Sequence, residues 1–251
     1  MNSLADSVSF AGTSGRLGCS AAELPLLGRL PRPVRERLLA SSRVERIAAR
    51  SELFTKGEIP KCLHIVLNGI VDLSCSYKGN ECTALMMAAG DVFMPAAALY
   101  AEPYLISAHA LTASRILMID AEVVRSEARS STELALGLAR VMAGQWRVAL
   151  KIILDLKCRS PSQRLAAFLL RLHDACEAGP AAEIPFSKRQ LASRIGMQPE
   201  TLSRTLQTLA ANGLYLRGRQ IIVTNRVAAE EFCGPDPYPP ASEYELGVHA
   251  L

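Results

Sequence analysis

Five polar side chains around Pro199 are of the kinds that form hydrogen bonds with DNA bases. An arginine can donate two parallel hydrogen bonds to guanine, a glutamate can accept one from the amino group of cytosine, and a serine can contact several bases. They lie in the segment FSKRQLASRIGMQPETLSRTLQTL (186–209) and are Gln198, Glu200, Thr201, Ser203 and Arg204. We predict that these side chains read the sequence of a DNA site.

A second group of polar or basic side chains flanks the first and suits the phosphate backbone. Hydrogen bonds to phosphates position a protein on the duplex without reading its sequence. We predict this role for Ser187, Lys188, Arg189, Arg194, Gln207, Arg217 and Arg219. Residues 157–226 contain eleven Lys or Arg against four Asp or Glu, whereas the whole chain has a net charge of only +4. This imbalance favours a nucleic-acid-binding domain in the C-terminal half.

Two short helices joined by a tight turn would position both groups. Ser187 is a favourable N-cap for the first helix, Gly196 suits its left-handed end, and Pro199 suits the first turn of the second. In a helix-turn-helix, the second helix enters the major groove and presents its N-terminal residues to the bases. The stretch GLYLRGRQIIVTN (213–225) then predicts a hairpin wing.

A long helix is predicted at residues 131–157, which contain no proline. Six positions along it follow alternating steps of four and three residues: Leu138, Met142, Gln145, Ala149, Ile152 and Leu156. Such spacing is typical of the a and d positions of a two-stranded coiled coil. We therefore expect the helix to join two copies of the chain in a homodimer, and packing against its own domain is the alternative.

Short apolar runs alternate with turn residues between residues 44 and 120. The pattern is clearest in LHIVLNGIVDLSCSYKGNECTALMMAAGDVF (63–93), where turn signals fall at Asn68-Gly69, at 78–80 and at Gly90-Asp91. Strands separated by turns at intervals of about ten residues are typical of antiparallel barrels and sandwiches. We predict an antiparallel sheet domain in this half of the chain.

Composition limits the class of protein. Hydrophobic residues make up 49% and charged residues 21% of the 251 residues, so a buried core is expected. The first twenty residues lack the basic start and apolar stretch of a signal peptide, and no apolar run is long enough to span a membrane. The seven cysteines are scattered and form no CxxC pair. We predict a cytoplasmic protein that makes no contact with the membrane.

With these motifs, residues 21–226 resemble the Crp/Fnr superfamily of bacterial regulators. The phrases that carry the resemblance are Gly57-Glu58, LHIVLNGIVDL, Gly79, Gly90-Asp91, the 131–157 helix and RLAAFLLRL. The resemblance implies an α+β fold with an N-terminal antiparallel β-roll, which is a double-stranded β-helix like that of cyclic-nucleotide-binding domains. A long dimerisation helix and a C-terminal winged helix-turn-helix would follow it.

The same resemblance implies domain boundaries, a DNA site and partners. The expected parts are a flexible arm (1–20), a β-roll sensor domain (21–130), a dimerisation helix (131–158), a winged helix-turn-helix domain (159–233) and a disordered tail (234–251). Glu200-x-x-Ser203-Arg204 is similar to the Fnr, FixK and Dnr version of the reading helix, which implies palindromes of TTGAT-like half-sites. Double-stranded DNA, a second copy of the chain and RNA polymerase are the expected partners.

The sensing half departs from the family where a ligand would be bound. Pro95-Ala96 lies where a cyclic-nucleotide pocket has Gly-Glu, and Ile106-Ser107 lies where it has Arg-Ser, so the charge that would neutralise a phosphate is missing. An iron–sulfur cluster would need closely spaced thiolates, which this sequence lacks. We predict that the protein binds neither a cyclic nucleotide nor an iron–sulfur cluster.

Haem stays an alternative because one or two axial ligands suffice, and His64 and His109 are among the candidates. The other interpretation is a largely apolar effector pocket, whose candidate residues are Phe93, Met94, Ala97, Leu99, Tyr104, Ile106, Ser107 and His109. Three alternatives for the controlling signal fit such a pocket: an uncharged ligand, a redox-responsive thiol and no ligand at all.

Two further function classes compete with a DNA-binding regulator. A sensor module with no DNA role would not need the 186–209 segment. An enzyme would need clustered acid and base residues, an activated nucleophile, a phosphate-binding loop or a metal-ligand spacing, and the sequence contains none of these. We therefore predict no catalytic residue and no metal site. The alternative function is a haem-dependent regulator that senses gas or redox state.

Overall fold

The computed structural model describes residues 21–77, 80–174, 183–184 and 186–236. The predicted arm (1–20), the turn at 78–79 and residues 237–251 of the predicted tail lie outside the described residues. The described chain packs as two units, the first with residues 21–75 and 84–148, the second with residues 76–83 and 149–236.

Two four-stranded sheets form the first unit's β-roll, in the orders β1-β8-β3-β6 and β2-β7-β4-β5. Strand β8 pairs antiparallel with both β1 and β3. The bounds are β1 (Ser42–Ile47), β2 (Glu52–Phe54), β3 (Cys62–Asn68), β4 (Val71–Tyr77), β5 (Asn80–Met87), β6 (Val92–Phe93), β7 (Ser107–Ala110) and β8 (Ser114–Asp120). The predicted antiparallel β-roll is confirmed.

Helices cover one face of this roll. They are α1 (Arg32–Ala40), α2 (Pro95–Tyr100), α3 (Ala121–Ser130) and the long α4 (Thr132–Cys158), which agrees with the predicted 131–157 helix. Alternation along β3 separates two cores. Leu63, Ile65 and Leu67 pack in the outer core, which includes residues of α1, α3 and α4. Val66 packs in the inner core, which also contains Phe54 and Phe93.

Helix α2 is bounded on both sides by residues with left-handed backbone, Met94 (φ 54°) and Ala101 (φ 53°). A residue with a Cβ is disfavoured by about 1–2 kcal/mol in this region. We expect Ala101→Gly to raise the free energy of unfolding by about 1 kcal/mol, because glycine adopts this conformation without strain. The same substitution at Ala135, inside α4, should lower it by about 1 kcal/mol. Chemical denaturation measures the free energy of unfolding of both variants. If Ala101→Gly lowers it, the backbone at Ala101 is not strained.

The second unit has the order expected of a winged helix-turn-helix. Its elements are α5 (Pro161–Asp174), α6 (Lys188–Ile195), α7 (Pro199–Ala211), the hairpin β9 (Leu214–Arg217) and β10 (Gln220–Val223), and α8 (Arg226–Cys233). The buried side chains of α5, α6 and α7 include Leu165, Leu169, Leu191, Leu202 and Leu209. Mixed helix and sheet with these two architectures confirms the predicted fold class.

Candidate nucleic-acid interface

Helix α6 starts and stops at residues that fix its ends. The Ser187 side chain accepts a hydrogen bond from the backbone N–H of Gln190 (3.3 Å), and the Gln190 side chain accepts one from the backbone N–H of Ser187 (2.7 Å). This reciprocal capping satisfies two N–H groups that a helix start leaves free. Gly196 ends the helix with φ 73° and turns the chain toward α7.

Helix α7 buries one face and exposes the other. Leu202, Thr205 and Leu209 are buried, and Thr205 donates its hydroxyl to the carbonyl of Thr201 (2.8 Å). The predicted base-reading side chains are all exposed, four on α7 and one at its N-cap: Gln198, Glu200, Thr201, Ser203 and Arg204. The structure therefore presents these five residues together, near the N-terminal end of one exposed helix face.

Most of the predicted phosphate-contacting side chains are also exposed. They are Ser187, Lys188, Arg189, Gln207, Arg217 and Arg219. Arg194 differs, because it is half-buried and its guanidinium carbon lies 5.7 Å from the centre of the Phe168 ring. A guanidinium over an aromatic face gains a cation–π attraction, so Arg194 has a packing role within the domain.

Arg219 also has a role in building the wing. Its Nε donates to the carbonyl of Ile184 (2.7 Å), and the Ile184 N–H donates to the carbonyl of Arg219 (2.8 Å). Glu183 bridges antiparallel to Gln220 beside this pair. The segment before α6 is thereby joined to β10, while Arg217 stays exposed next to Gly218 (φ 64°) at the turn of the hairpin.

Helix α4 does not expose the seam that its sequence predicts. Leu138 is only 1% exposed and belongs to the outer core, and the Gln145 amide donates to the carbonyl of Val92. Met142, Ala149 and Ile152 are half-buried, and Leu156 is exposed. The prediction that Leu138 and Gln145 face a partner is therefore wrong, because both contact the chain's own first unit.

A different apolar stripe of α4 is exposed. Its members are Leu136, Ala139, Ala143, Trp146, Leu150 and Ile153, which again follow steps of three and four. Successive residues of an α-helix are rotated by about 100°. The exposed stripe is displaced by one residue from the predicted seam, so it lies about 100° around the helix. The exposure of Trp146 (61%) and Leu136 (56%) is unusual for side chains of this size.

The predicted effector pocket is only partly assembled. Phe93, Ala97 and Tyr104 lie in the inner core, with Met94 and Ile106 packed against it. Leu99 packs against the outer core instead. Ser107 and His109 alternate on β7 with the fully buried Ala108 and Ala110, so they point to the opposite face of the sheet. The prediction that Leu99, Ser107 and His109 share the pocket is therefore wrong.

These residues do not fit a cyclic-nucleotide phosphate. Helix α2 begins with Pro95, which has no N–H to donate, and Ile106 packs as an apolar side chain. The Ser107 hydroxyl instead accepts a hydrogen bond from the backbone N–H of Lys56 (2.9 Å). No guanidinium stands at position 106 or 107 to pair with a phosphate.

His64 is a buried titratable side chain that packs against aromatic rings of the inner core. Its ring lies 5.1 Å from Phe93 and 5.4 Å from Phe54, between ring centres, and its Nδ1 has no hydrogen-bond partner among the described residues. Burial, and to a smaller extent the charge of Arg43, lowers the pKa of His64 to about 4. His64 is therefore neutral near pH 7. Within the described residues, no group of three or more His, Cys, Asp or Glu is arranged to hold a metal ion.

None of the helices in the described part of the chain has both the length and the apolar character needed to cross a membrane.

Residues 163–230 match the family of Crp-like helix-turn-helix domains, and residues 44–131 match the cyclic nucleotide-binding domain family. The two matches together span both halves of the fold.

Relatives of known role agree with these matches. The chain is 26% identical over 191 residues to the nitrogen fixation regulation protein FixK of Azorhizobium caulinodans, which covers 72% of this chain and 75% of the relative. It is 25% identical over 179 residues to a CRP-like cAMP-activated global transcriptional regulator of Mycobacterium tuberculosis, covering 69% and 80%.

A solved structure supports the fold. The structure of FixK2 from Bradyrhizobium japonicum superposes with a TM-score of 0.69 at 22% identity, covering 77% of this chain and 98% of that one. With the exposed polar face of α7, the capped α6 and the β-roll, these similarities lead to one family. The chain belongs to the Crp/Fnr family of DNA-binding transcription regulators.

Proposed function

We propose that the protein binds palindromic DNA as a homodimer, with α7 of each copy in the major groove of one TTGAT-like half-site. The observation that carries this proposal is the exposed polar face of α7, where Glu200, Ser203 and Arg204 stand within two helical turns of the N-terminus. Reading helices contact bases through these early positions, and a two-fold dimer matches a palindrome.

The chemistry of the three side chains supports the half-site. Arg204 can donate twice to a guanine, Glu200 can accept from a cytosine amine, and Ser203 can pack on or bond to a neighbouring base. The exposed Lys188, Arg189 and Arg217 supply the phosphate contacts that fix the register. We propose RNA polymerase as the further partner and the cytoplasm as the place of action, as expected for a bacterial-type regulator of this family.

Dimerisation is proposed to use the exposed stripe of α4 and not the seam predicted from sequence. Leu136, Trp146, Leu150 and Ile153 provide large apolar side chains on one helix face, and Ala139 and Ala143 allow close approach between them. A second copy presents the same stripe, so a parallel pair of α4 helices would cover all of it.

The controlling signal is proposed to differ from cyclic AMP, because Pro95 and Ile106 replace groups that a cyclic phosphate needs. Haem stays a second candidate, since His64 is neutral, lies among aromatic rings and leaves its Nδ1 unbonded within the described chain. An absorption spectrum of the protein titrated with haem tests this: a Soret band that shifts in wild type and is lost in His64→Ala supports haem. An unchanged spectrum in His64→Ala excludes His64 as a ligand.

The DNA proposal is tested by fluorescence anisotropy with a duplex that carries two TTGAT-type half-sites in palindromic order. The control duplex has the same composition in scrambled order. We expect tighter binding of the palindrome at every salt concentration, and a linear fall of log affinity with log salt for both duplexes. Equal affinities for the two duplexes would contradict sequence-specific reading, and no binding at low salt would favour a module without a DNA role.

A further inference from the structure

Arg164, on α5, lies between the C-terminal ends of two other helices. Its Nε donates to the carbonyl of Ile195 (3.2 Å), which is the last residue of α6. Its Nη1 donates to the carbonyl of Arg159 (3.0 Å), which directly follows α4. One guanidinium on α5 therefore joins the C-terminal ends of α4 and α6.

The last carbonyls of a helix have no partner within it and carry a partial negative charge. A guanidinium satisfies such carbonyls well, because its donors diverge in a fixed plane and its charge is permanent. Burial lowers the pKa of Arg164, while the charge of Asp155 acts in the opposite direction. Asp155 itself is engaged with Arg159 (2.7 Å) and Arg171 (2.9 Å).

The Ile195 carbonyl lies at the end of α6, directly before the turn of the helix-turn-helix. Gly196 follows it with φ 73°, and the N–H groups of Gly196 and Met197 both return to the carbonyl of Ala192. These local bonds close the end of α6, but none of them ties the turn to the rest of the domain. Arg164 supplies such a tie, from α5 to the residue at which the chain leaves α6 for α7.

We infer that Arg164 is a positioning residue for DNA reading: it holds the α6–α7 turn so that α7 meets the bases at the productive angle. The inference rests on the proposed function of α7. Two donors of Arg164 point into the domain, so the side chain acts through α7 and not by contacting DNA. Its removal should therefore affect base reading, which needs exact placement, more than phosphate binding, which tolerates small displacements.

The test compares Arg164→Met with Arg171→Met. Both substitutions remove one guanidinium from α5 and keep an unbranched apolar stem, but Arg171 reaches Asp155 on α4, whereas Arg164 reaches the α6–α7 turn. For Arg164→Met we expect about a tenfold decrease in affinity for the palindrome, because each displaced reading helix makes weaker hydrogen bonds to the bases. Affinity for the scrambled duplex and the salt slope should stay unchanged. Arg171→Met should leave both affinities close to wild type.

Arg164→Lys provides a graded variant, since one ammonium keeps the charge but cannot match the fork that reaches two carbonyls. We expect it to fall between wild type and Arg164→Met. Thermal unfolding by circular dichroism checks that each variant is folded at the assay temperature. If a folded Arg164→Met keeps full preference for the palindrome, the positioning role is wrong.

A different result would also overturn the inference. If Arg164→Met weakens both duplexes alike and makes the log–log salt slope shallower by about 0.9 for each phosphate that is no longer neutralised, Arg164 is a phosphate ligand. If wild type itself shows no preference for the palindrome, the proposed function is wrong. No result for the variants on scrambled DNA would change that conclusion. The wild-type measurement thus separates failure of the function from failure of the positioning role.

Discussion

Leu150→Asp combined with Ile153→Asp is expected to convert the proposed dimer into a monomer and to lower the affinity for the palindrome by a factor of roughly 10² to 10⁴. Both side chains lie on the exposed stripe of α4, at 38% and 41% exposure. Four carboxylates facing one another across a two-fold axis would repel and would be taken out of water without partners. Each reading helix would then bind its half-site alone, without the gain from a linked second site.

The single tryptophan of the sequence provides a direct fluorescence signal for the proposed interface. Trp146 lies on the same stripe and is 61% exposed in the isolated chain, so dimerisation should bury its indole and shift its emission to shorter wavelength. Dilution of wild type should reverse the shift, while the double variant should show the long-wavelength emission at all concentrations. Sedimentation equilibrium measures the mass in the same samples, and a duplex with one half-site should bind the variant and wild type with similar affinity.

Two control variants separate the competing faces of α4. Arg140→Asp places a carboxylate on an exposed position outside the stripe and should leave the dimer intact. Ile152→Asp tests the seam predicted from sequence at a half-buried position. A folded Ile152→Asp that is monomeric, together with a dimeric double variant, would show that the association face was assigned to the wrong side of the helix.

The helix itself could be predicted from sequence, but not which of its faces meets which partner. Apolar spacing indicates that a stripe will be covered without saying by what. Two stripes share α4, and Leu138 and Gln145 of the predicted stripe contact the chain's own first unit. The exposed stripe is hard to see in the sequence because alanines at 139 and 143 separate its large members, Leu136 and Trp146.

Strand β7 shows the same limit on a smaller scale. Its sequence, Ser-Ala-His-Ala, alternates, but alanine is a weak signal for an inward face, so the sequence alone favours His109 as a pocket residue. The structure turns Ala108 and Ala110 inward and His109 to the other face. Register settles such cases, since a shift of one residue moves every side chain to the opposite face.

The helix-turn-helix was predictable because its signals are local. The Ser187–Gln190 capping box, the left-handed Gly196 and the proline at the start of α7 all act within a few residues of each other. The bond from Arg164 to Ile195 joins positions 31 residues apart and has no signature in the spacing of residues. The helix-turn-helix could therefore be predicted from local chemistry, whereas the hydrogen bond that joins its turn to α5 could be found only in the structure.

Arg204→Ala is expected to reduce the preference for the palindrome over scrambled DNA by about 1–3 kcal/mol for each half-site. Arg204 is exposed on the outward face of α7, so the substitution should leave the packing of the domain intact. Two N–H groups of its guanidinium can pair with one guanine, and alanine can supply neither. Because the two half-sites are separate, the two effects should add in the palindrome. Anisotropy titrations against duplexes substituted one base pair at a time would locate the position whose preference disappears.

Arg189→Ala is the matched control, since it removes the same side chain from an exposed position on α6 that we assign to phosphate. It should weaken palindrome and scrambled duplex alike, and it should make the log–log salt slope shallower by about 0.9 for each phosphate left without its arginine. Arg204→Ala should leave that slope close to wild type, because base edges carry no condensed counterions. If instead Arg204→Ala lowers both affinities equally and Arg189→Ala changes the preferred base, the two roles are exchanged, and α7 does not enter the groove in the proposed orientation.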